Sequence, residues 1–425
     1  MGRRMSLRFA GPLSAALREF LGRSPGLVGT ALLAACLAGY GENGTAAHSA
    51  DGSRGVGSRV FVVERDSSSL AVYDLAERLV VGRIEGLGNL QHATMTFSPD
   101  LDYGYVASRS GKLTRIDLHA LERAGEVQTS KSSIDIAISR DGRFVATADY
   151  VPGGVTILDA RTLAVVRRIP AIVERNGQRI ESRVTGIVDA PGNRFVCVLI
   201  EAAEIWVIDV SGSDPRLERR VPTPAEEPYD AMITPDGRYY VVGHGGSADV
   251  SVLDLADPEA SPRVVSLREP GRNYERTAPV KIPHLASWAV AQGSVFVPLV
   301  GEKRLAVLDR YTWKFKRSVE LRGHPVYAVR TPGERYVWVT FSGEEDDAFV
   351  QVVDVESLEV IRTLRVGARI YHIEFTPRGS HALITANAEN KLFLVNASTY
   401  AVEDSQALRS PSGVFGVWRA FMMGL

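Results

Sequence analysis

Short runs of apolar residues recur along most of this chain, and turn sequences rich in Pro, Asp and Gly separate them. One such turn, TPDGR at 234–238, leads into an apolar run at 239–243, and a second alternating run ends at Asp254. Alternation over such short lengths indicates β-strands, and the Pro and Gly residues supply the turn conformations between them. The pattern predicts a repeated unit of four short strands.

The end of the alternating strand is marked by an acidic or amide residue in eight successive units. These residues are Asp74, Asp117, Asp159, Asp209, Asp254, Asp309, Asp354 and Asn396. A period in the forties with four short strands per unit is typical of propeller blades, and blades must close a ring to bury their faces. The sequence therefore predicts an all-β, eight-bladed β-propeller. Residues after Asn396 are expected to close the ring by pairing with the strand at 60–63.

The first 36 residues have the features of a targeting segment rather than of the fold. Five arginines precede an apolar stretch at 26–35 that is too short to span a bilayer as a helix. It ends in LAAC, which resembles a bacterial lipobox with Cys36 as the acylated residue. We expect a signal peptide with a lipobox at 1–36, a flexible tether at 37–57 and the propeller at 58–421. This organisation predicts a membrane-anchored periplasmic lipoprotein; a plain signal peptide cleaved nearby is the alternative.

Charge and cysteine content exclude several classes of protein. The net charge is −1 and no basic run is present, so nothing indicates a nucleic-acid partner. Two cysteines, Cys36 and Cys197, are too few for a disulfide framework or a Cys-rich zinc site. The sequence contains no C-x-x-C-H motif for covalent haem attachment.

The strand before each Pro-Asp-Gly turn is expected to be innermost, so its first residues should ring one mouth of the central channel. His92 and His284 fall at equivalent positions in two different units. Other polar residues expected on the same ring are Asp135, Arg183, Tyr229, Asp230, His324, Tyr327, Tyr371 and His372. Imidazoles are common ligands of metals and haem iron. For each single residue the alternative is a purely structural role in a hydrogen-bond network between inner strands.

Several segments resemble one family. They are GLGNLQHAT at 86–94, KIPHLASW at 281–288, EFTPRG at 374–379 and the region 410–420, together with 149–155 and 188–192. These segments resemble NirF-type haem d1 biosynthesis proteins, which are similar to the d1-haem domain of cytochrome cd1 nitrite reductase. The resemblance covers roughly 58–421. It implies a periplasmic protein of denitrification that binds haem d1 or its dihydro precursor non-covalently, late in haem d1 biosynthesis.

The resemblance also implies roles for individual residues. His92 matches an iron ligand, His284 a distal-side histidine, and Arg109 an arginine that pairs with a haem carboxylate. Arg183, Tyr371 and His372 are the further binding residues expected at the same mouth. Nitrite reductase or other d1-haem maturation proteins are the implied protein partners.

Whether the protein is also an enzyme stays open. The family suggests dehydrogenation of a propionate to an acrylate side chain, but the run RSGKL at 109–113 lacks the acidic residue usual after Arg109. A periplasmic protein-interaction scaffold without a tetrapyrrole is the competing hypothesis. The paired His92 and His284 favour the tetrapyrrole, because a scaffold needs neither.

Overall fold

A computed structural model of the chain describes residues 55–225, 227–245, 247–271 and 288–424. These residues form eight four-stranded antiparallel sheets, which are the blades of a β-propeller. The predicted fold class is therefore confirmed. In the described part of the chain, helical structure is limited to short 3-10 turns at Val56–Ser58, Val300–Glu302, Asn387–Glu389 and Val417–Phe421.

Each blade of the first half consists of consecutive strands, except that the last strand of the chain completes blade 1. Blade 1 contains β1 (Arg59–Glu64), β2 (Ser69–Asp74), β3 (Leu79–Ile84) and β34 (Pro411–Gly416); blade 2 contains β4 (Thr94–Phe97), β5 (Tyr103–Ala107), β6 (Lys112–Asp117) and β7 (Glu122–Gln128); blade 3 contains β8 (Ser132–Ile138), β9 (Phe144–Val151), β10 (Gly153–Asp159) and β11 (Val165–Pro170); blade 4 contains β14 (Val184–Ala190), β15 (Arg194–Leu199), β16 (Glu204–Asp209) and β17 (Arg216–Pro222).

The described residues of the second half repeat the same order of strands. Blade 5 contains β18 (Pro228–Ile233), β19 (Tyr239–His244), β20 (Asp249–Asp254) and β21 (Arg263–Ser266); blade 6 contains β22 (Ala289–Ala291), β23 (Ser294–Leu299), β24 (Arg304–Asp309) and β25 (Phe315–Glu320); blade 7 contains β26 (His324–Arg330), β27 (Tyr336–Ser342), β28 (Phe349–Asp354) and β29 (Glu359–Arg365); blade 8 contains β30 (Ile370–Phe375), β31 (His381–Ala386), β32 (Lys391–Asn396) and β33 (Val402–Ala407).

The strand before each Pro-Asp-Gly-type turn is innermost, as predicted. Strand β14, for example, contacts the inner strands β8 and β18 of the two neighbouring blades, and β30 contacts β34. All inner strands run in the same sense around the ring. We call the face where they begin the upper face and the opposite one the lower face.

The repeated acid or amide closes the turn between the third and fourth strands. Each of the eight predicted residues is the last residue of its strand. Asp309 illustrates the reason: its Oδ1 accepts hydrogen bonds from the backbone N–H groups of Tyr311 and Thr312, at 3.1 and 2.8 Å. These bonds lower the pKa of Asp309 to about 2. Asn396 makes the same contacts with its amide oxygen.

The ring closes through the strand predicted to do so. Val60, Phe61 and Val62 of β1 lie opposite Gly416, Phe415 and Val414 of β34. Both β1 and β34 pack in one cluster with side chains of blades 2 and 8, including Met95 and Leu383. Closure therefore joins the first and last strands of the propeller through both backbone hydrogen bonds and a shared core.

The 50-residue spacing between Asp159 and Asp209 has a structural cause. An additional hairpin, β12 (Ile172–Arg175) and β13 (Gln178–Glu181), is inserted between blades 3 and 4. It follows an outer strand and precedes an inner one, so it lies on the upper face. Its Val173 is buried in the core shared by these two blades. The sequence pattern did not predict this hairpin.

The last residues of the chain cross the lower mouth of the channel. The 3-10 turn Val417–Phe421 follows β34 of blade 1, and Arg419 forms an ion pair with Glu374 of blade 8 at 2.7 Å. Further on, the Gly424 N–H donates to Asp189 Oδ1 of blade 4 at 3.0 Å. Met423 packs against the core that blades 4 and 5 share. We call residues 417–424 the strap.

Candidate functional site

Second strands end at the upper mouth, and the residues at one register position near these ends form a ring of their own. Counted in register from the pairing of second and third strands, this position is occupied in blades 1, 2 and 3 by Arg65, Arg109 and Tyr150. In blades 4 to 8 the same position holds Ile200, Gly245, Val300, Ser342 and Asn387. One arc of the mouth is therefore cationic and aromatic.

Arg109, Tyr150 and Arg183 form a stack on this arc. The guanidinium carbon of Arg109 lies 4.7 Å from the centroid of the Tyr150 ring, and that of Arg183 lies 5.5 Å from it. The backbone N–H of Arg109 donates to the Asn89 carbonyl at 2.8 Å, which ties the stack to the glycine-rich segment before β4. Cation–π contact holds both guanidinium groups beside one ring. The predicted residues Arg109 and Arg183 are thus brought together.

The two arginines differ in how their charge is compensated. Arg183 Nε lies 2.6 Å from Glu201 Oε1, and the Glu201 carboxylate also accepts the Arg183 backbone N–H. Nη1 of Arg109, in contrast, is buried and has no hydrogen-bond partner among the described residues. A buried donor without an acceptor raises the free energy of the folded protein. An anionic oxygen of a ligand that accepts a hydrogen bond from Nη1 would remove this penalty.

Tyr150 connects this stack to the channel interior. Its phenol lies near Thr185, whose hydroxyl donates to Asp135 Oδ2 at 3.1 Å. Burial and the nearby carboxylate of Asp135 raise the pKa of Tyr150, although the two guanidinium groups oppose the shift. The phenol is therefore protonated at neutral pH and leads through Thr185 to a carboxylate on an inner strand.

Arg65 and Tyr371 form a second pair on the same arc. Arg65 Nη1 donates to the Tyr371 hydroxyl at 2.8 Å, and its guanidinium carbon lies 4.1 Å from the Tyr371 ring centroid. Nε of Arg65 is buried and, like Nη1 of Arg109, has no partner among the residues described. Tyr371 was predicted from the sequence as a binding residue, whereas Arg65 was missed.

His372 lies deeper in the channel than Tyr371. Its Nδ1 accepts the Val414 N–H at 2.8 Å, and its ring packs against Tyr327 and Phe415 at centroid distances of 5.1 and 6.0 Å. Burial, assisted by the charge of Arg419, lowers the pKa of His372 to about 3. The neutral ring therefore carries its proton on Nε2 and presents a donor, not a lone pair, to a ligand.

His92 lies just before the inner strand of blade 2 rather than at its first residue. The inner strand β4 begins only at Thr94, and His92 is exposed in the preceding turn with a φ of 59°. Gly86 and Gly88 also have positive φ values, 77° and 80°, so the whole segment follows an irregular path that strand periodicity does not reveal.

His324 is an imidazole at the upper mouth with a fixed tautomer. It is the first residue of the inner strand β26, and its Nδ1 lies 2.6 Å from the Val300 carbonyl oxygen. A carbonyl only accepts, so Nδ1 carries the hydrogen and the lone pair is on Nε2 of the neutral ring. Metal-bound histidines usually have such a carbonyl or carboxylate behind the ring.

Two predicted residues, His284 and Cys36, lie outside the described residues, as do the signal peptide and most of the tether. In the described part of the chain, no group of three or more His, Cys, Asp or Glu side chains could hold a metal ion. No helix among the same residues is long and apolar enough to cross a membrane. The buried Cys197 has its pKa raised by burial, as expected for a core thiol.

The eight-bladed propeller agrees with the relatives of this chain. The family model described as "Cytochrome D1 heme domain" matches residues 55–420. Protein NirF of Pseudomonas aeruginosa is 41% identical over 88% of this chain and 94% of its own length. The chain therefore belongs to the NirF family of cytochrome D1 heme-domain proteins.

Two further relatives extend the comparison. The dihydro-heme d1 dehydrogenase of Pseudomonas aeruginosa is 30% identical over 77% of this chain but only 64% of its own length. The solved structure of the dihydro-heme d1 dehydrogenase NirN in complex with DHE superposes with a TM-score of 0.75 at 25% identity, covering 86% of this chain and 76% of that chain. The fold of this chain is therefore shared with a protein that was solved in complex with DHE.

Proposed function

We propose that this protein binds haem d1, or its dihydro precursor, non-covalently at the upper mouth and acts late in haem d1 biosynthesis in the periplasm. Membership of the NirF family and the likeness to NirN in complex with DHE support the ligand class. The resemblance of residues 33–36 to a lipobox supports the periplasmic, lipid-anchored location.

One observation carries the proposal: Arg65 and Arg109 each bury a guanidinium nitrogen that has no partner among the described residues. Tetrapyrroles of this class bear several carboxylates around their rim. Guanidinium groups suit carboxylates because they can form two parallel hydrogen bonds. A ligand carboxylate at each arginine would satisfy the orphaned donors. A protein-interaction scaffold without a tetrapyrrole does not require buried guanidinium donors at a channel mouth.

Two imidazoles are candidates for the axial iron ligand. His92 is supported by its match to the family motif and by its exposed position in the turn before β4. His324 is supported by the Val300 carbonyl that places the lone pair on Nε2. We propose His92 as the axial iron ligand, with His324 as the second candidate.

Spectra of single variants test this assignment. His92→Ala is expected to shift the Soret and red bands of the haem d1 complex while retaining binding, because the arginine contacts remain. His324→Ala, the matched imidazole deletion, is expected to leave the band positions unchanged. A shift in His324→Ala alone would reassign the ligand to His324. Full binding and unchanged bands in both folded variants would contradict both assignments and leave His284 as the next candidate.

We also propose that the protein dehydrogenates a propionate of the bound dihydro-haem to an acrylate. The name of its dehydrogenase relative and the Tyr150–Thr185–Asp135 connection, which can lead a proton away from a carboxylate-bearing side chain, favour this activity. Conversion of CH2–CH2 to CH=CH releases two protons and two electrons. The electrons must pass to an external acceptor, such as a c-type cytochrome, because this sequence has no C-x-x-C-H motif.

An acceptor-dependent assay tests the activity separately from binding. Dihydro-haem d1 incubated with the protein and an artificial two-electron acceptor is expected to yield the acrylate form, measured by mass spectrometry as a loss of two hydrogens. Tyr150→Phe keeps the aromatic support of both arginines but lacks the hydroxyl, so it is expected to bind normally and react slowly. Product formation that is equal with and without the protein would contradict dehydrogenation and leave the binding proposal standing.

A further inference from the structure

The chain enters the propeller on its lower face. Strand β1 pairs antiparallel with β34, and Val60 at its beginning lies opposite Gly416 at the lower end of β34. The preceding 3-10 turn, Val56–Ser58, contacts the strap turn Val417–Phe421, and Val56 is buried. The tether from Cys36 therefore joins the fold beside the strap.

The strap exposes apolar side chains at this same place. Phe421 is 64% exposed and Met422 is 37% exposed, although their neighbours Val417 and Trp418 are buried. Exposed aromatic and aliphatic side chains of this kind insert readily into the interface between lipid headgroups and acyl chains. The pair lies at the end of the strap turn, which contacts the entering turn Val56–Ser58, and it borders a cavity on the lower face of blades 2 to 4.

The length of the tether limits the distance between the propeller and an acylated Cys36. The 19 residues from Cys36 to Gly55 span at most about 65 Å when fully extended. If this segment forms the flexible tether expected from its small and polar composition, its root-mean-square end-to-end distance is only about 25 Å. A lipid on Cys36 would thus keep the lower face, where the chain enters, close to the bilayer for most of the time.

From these two observations we propose that the lower face lies against the lipid bilayer, with Phe421 and Met422 in contact with it, and that the upper mouth points away from the membrane. The inference rests on the proposed lipid anchor and not on tetrapyrrole binding. It gives the strap a function besides crossing the lower mouth. It also leaves the cationic mouth accessible to soluble proteins that deliver or receive a ligand.

Site-specific quenching by labelled lipids tests this orientation. The full-length lipidated protein is reconstituted on vesicles of phosphatidylethanolamine and phosphatidylglycerol that contain a headgroup quencher. A fluorophore is attached at Phe421→Cys or, as a matched control, at Val151→Cys, an apolar position on the upper face that is 49% exposed. Selective labelling is feasible because Cys197 is buried and the proposed lipid blocks Cys36.

Strong quenching at position 421 with little at position 151 is the expected result. Protein that sediments with the vesicles but is quenched equally at both positions, or more at 151, would overturn the orientation and keep the anchor. Protein that does not sediment would overturn the anchor and the orientation together. Concentration-dependent shielding of position 421 from a soluble quencher in Cys36→Ala protein would assign the apolar pair to contact with a second copy of the chain, and would also overturn the proposal.

Discussion

Replacing Arg109 by alanine is expected to weaken haem d1 binding by about 10- to 100-fold, which corresponds to the roughly 1.5–3 kcal/mol of a hydrogen bond to a charged group. The change removes the buried Nη1 that lacks a partner among the described residues, together with one side of the Tyr150 stack. Arg109→Lys keeps the charge without the planar fork and should recover only part of the affinity. Equilibrium titration by absorbance measures the dissociation constants.

Arg378→Ala provides the control for this comparison. Arg378 is exposed in the turn between β30 and β31. This turn lies on the lower face, at the opposite end of the inner strand from the upper mouth. Its removal changes the net charge by the same amount but should leave affinity unaltered. Equal affinity of wild type, Arg378→Ala and a folded Arg109→Ala protein would contradict the role of the arginine arc in carboxylate binding.

Truncation after Leu408 is expected to abolish cooperative folding. It removes β34 and the strap, so that Val60, Phe61 and Val62 of β1 lose the strand that covers them. Exposure of these three fully buried side chains costs roughly 1.5–3 kcal/mol each, a total comparable to the ~5–15 kcal/mol that stabilises a typical domain. Two open blade edges also invite aggregation.

A shorter truncation separates ring closure from the strap. Removal of residues 422–425 keeps β34 but eliminates Met423 and the Gly424–Asp189 hydrogen bond. This variant should remain folded, with a cooperative thermal transition at a slightly lower temperature. A monomeric, cooperatively unfolding protein truncated after Leu408 would contradict the role of β34 in closing the propeller.

The repeat was predictable because each of its signals has a local cause. Asp309 and its equivalents are the acceptors that close a tight turn, and the Thr234-to-Gly237 type of turn is held by a hydroxyl–carboxylate hydrogen bond. Alternating apolar residues then set which strand faces lie between blades. These constraints act within a few residues of each other, so the sequence pattern records them in every blade.

Parts of the site were less accessible to such reasoning. Arg65 was missed because the sequence pattern was aligned on the beginnings of inner strands. Arg65, Arg109 and Tyr150 instead share one register position at the upper end of the second strand. Aligning the units at that position would have found Arg65. No local signal marks the carbonyl of Val300 behind His324, because that contact joins two different blades. The left-handed turn at His92 likewise depends on surrounding structure.

Absorbance titration of the purified wild-type protein with haem d1 tests the central claim most directly. One saturable site, with a bound spectrum distinct from that of free haem d1 and with affinity reduced by Arg109→Ala, is the predicted result. A linear increase in absorbance that matches the sum of free haem d1 and protein, without saturation, would contradict tetrapyrrole binding and favour the interaction scaffold.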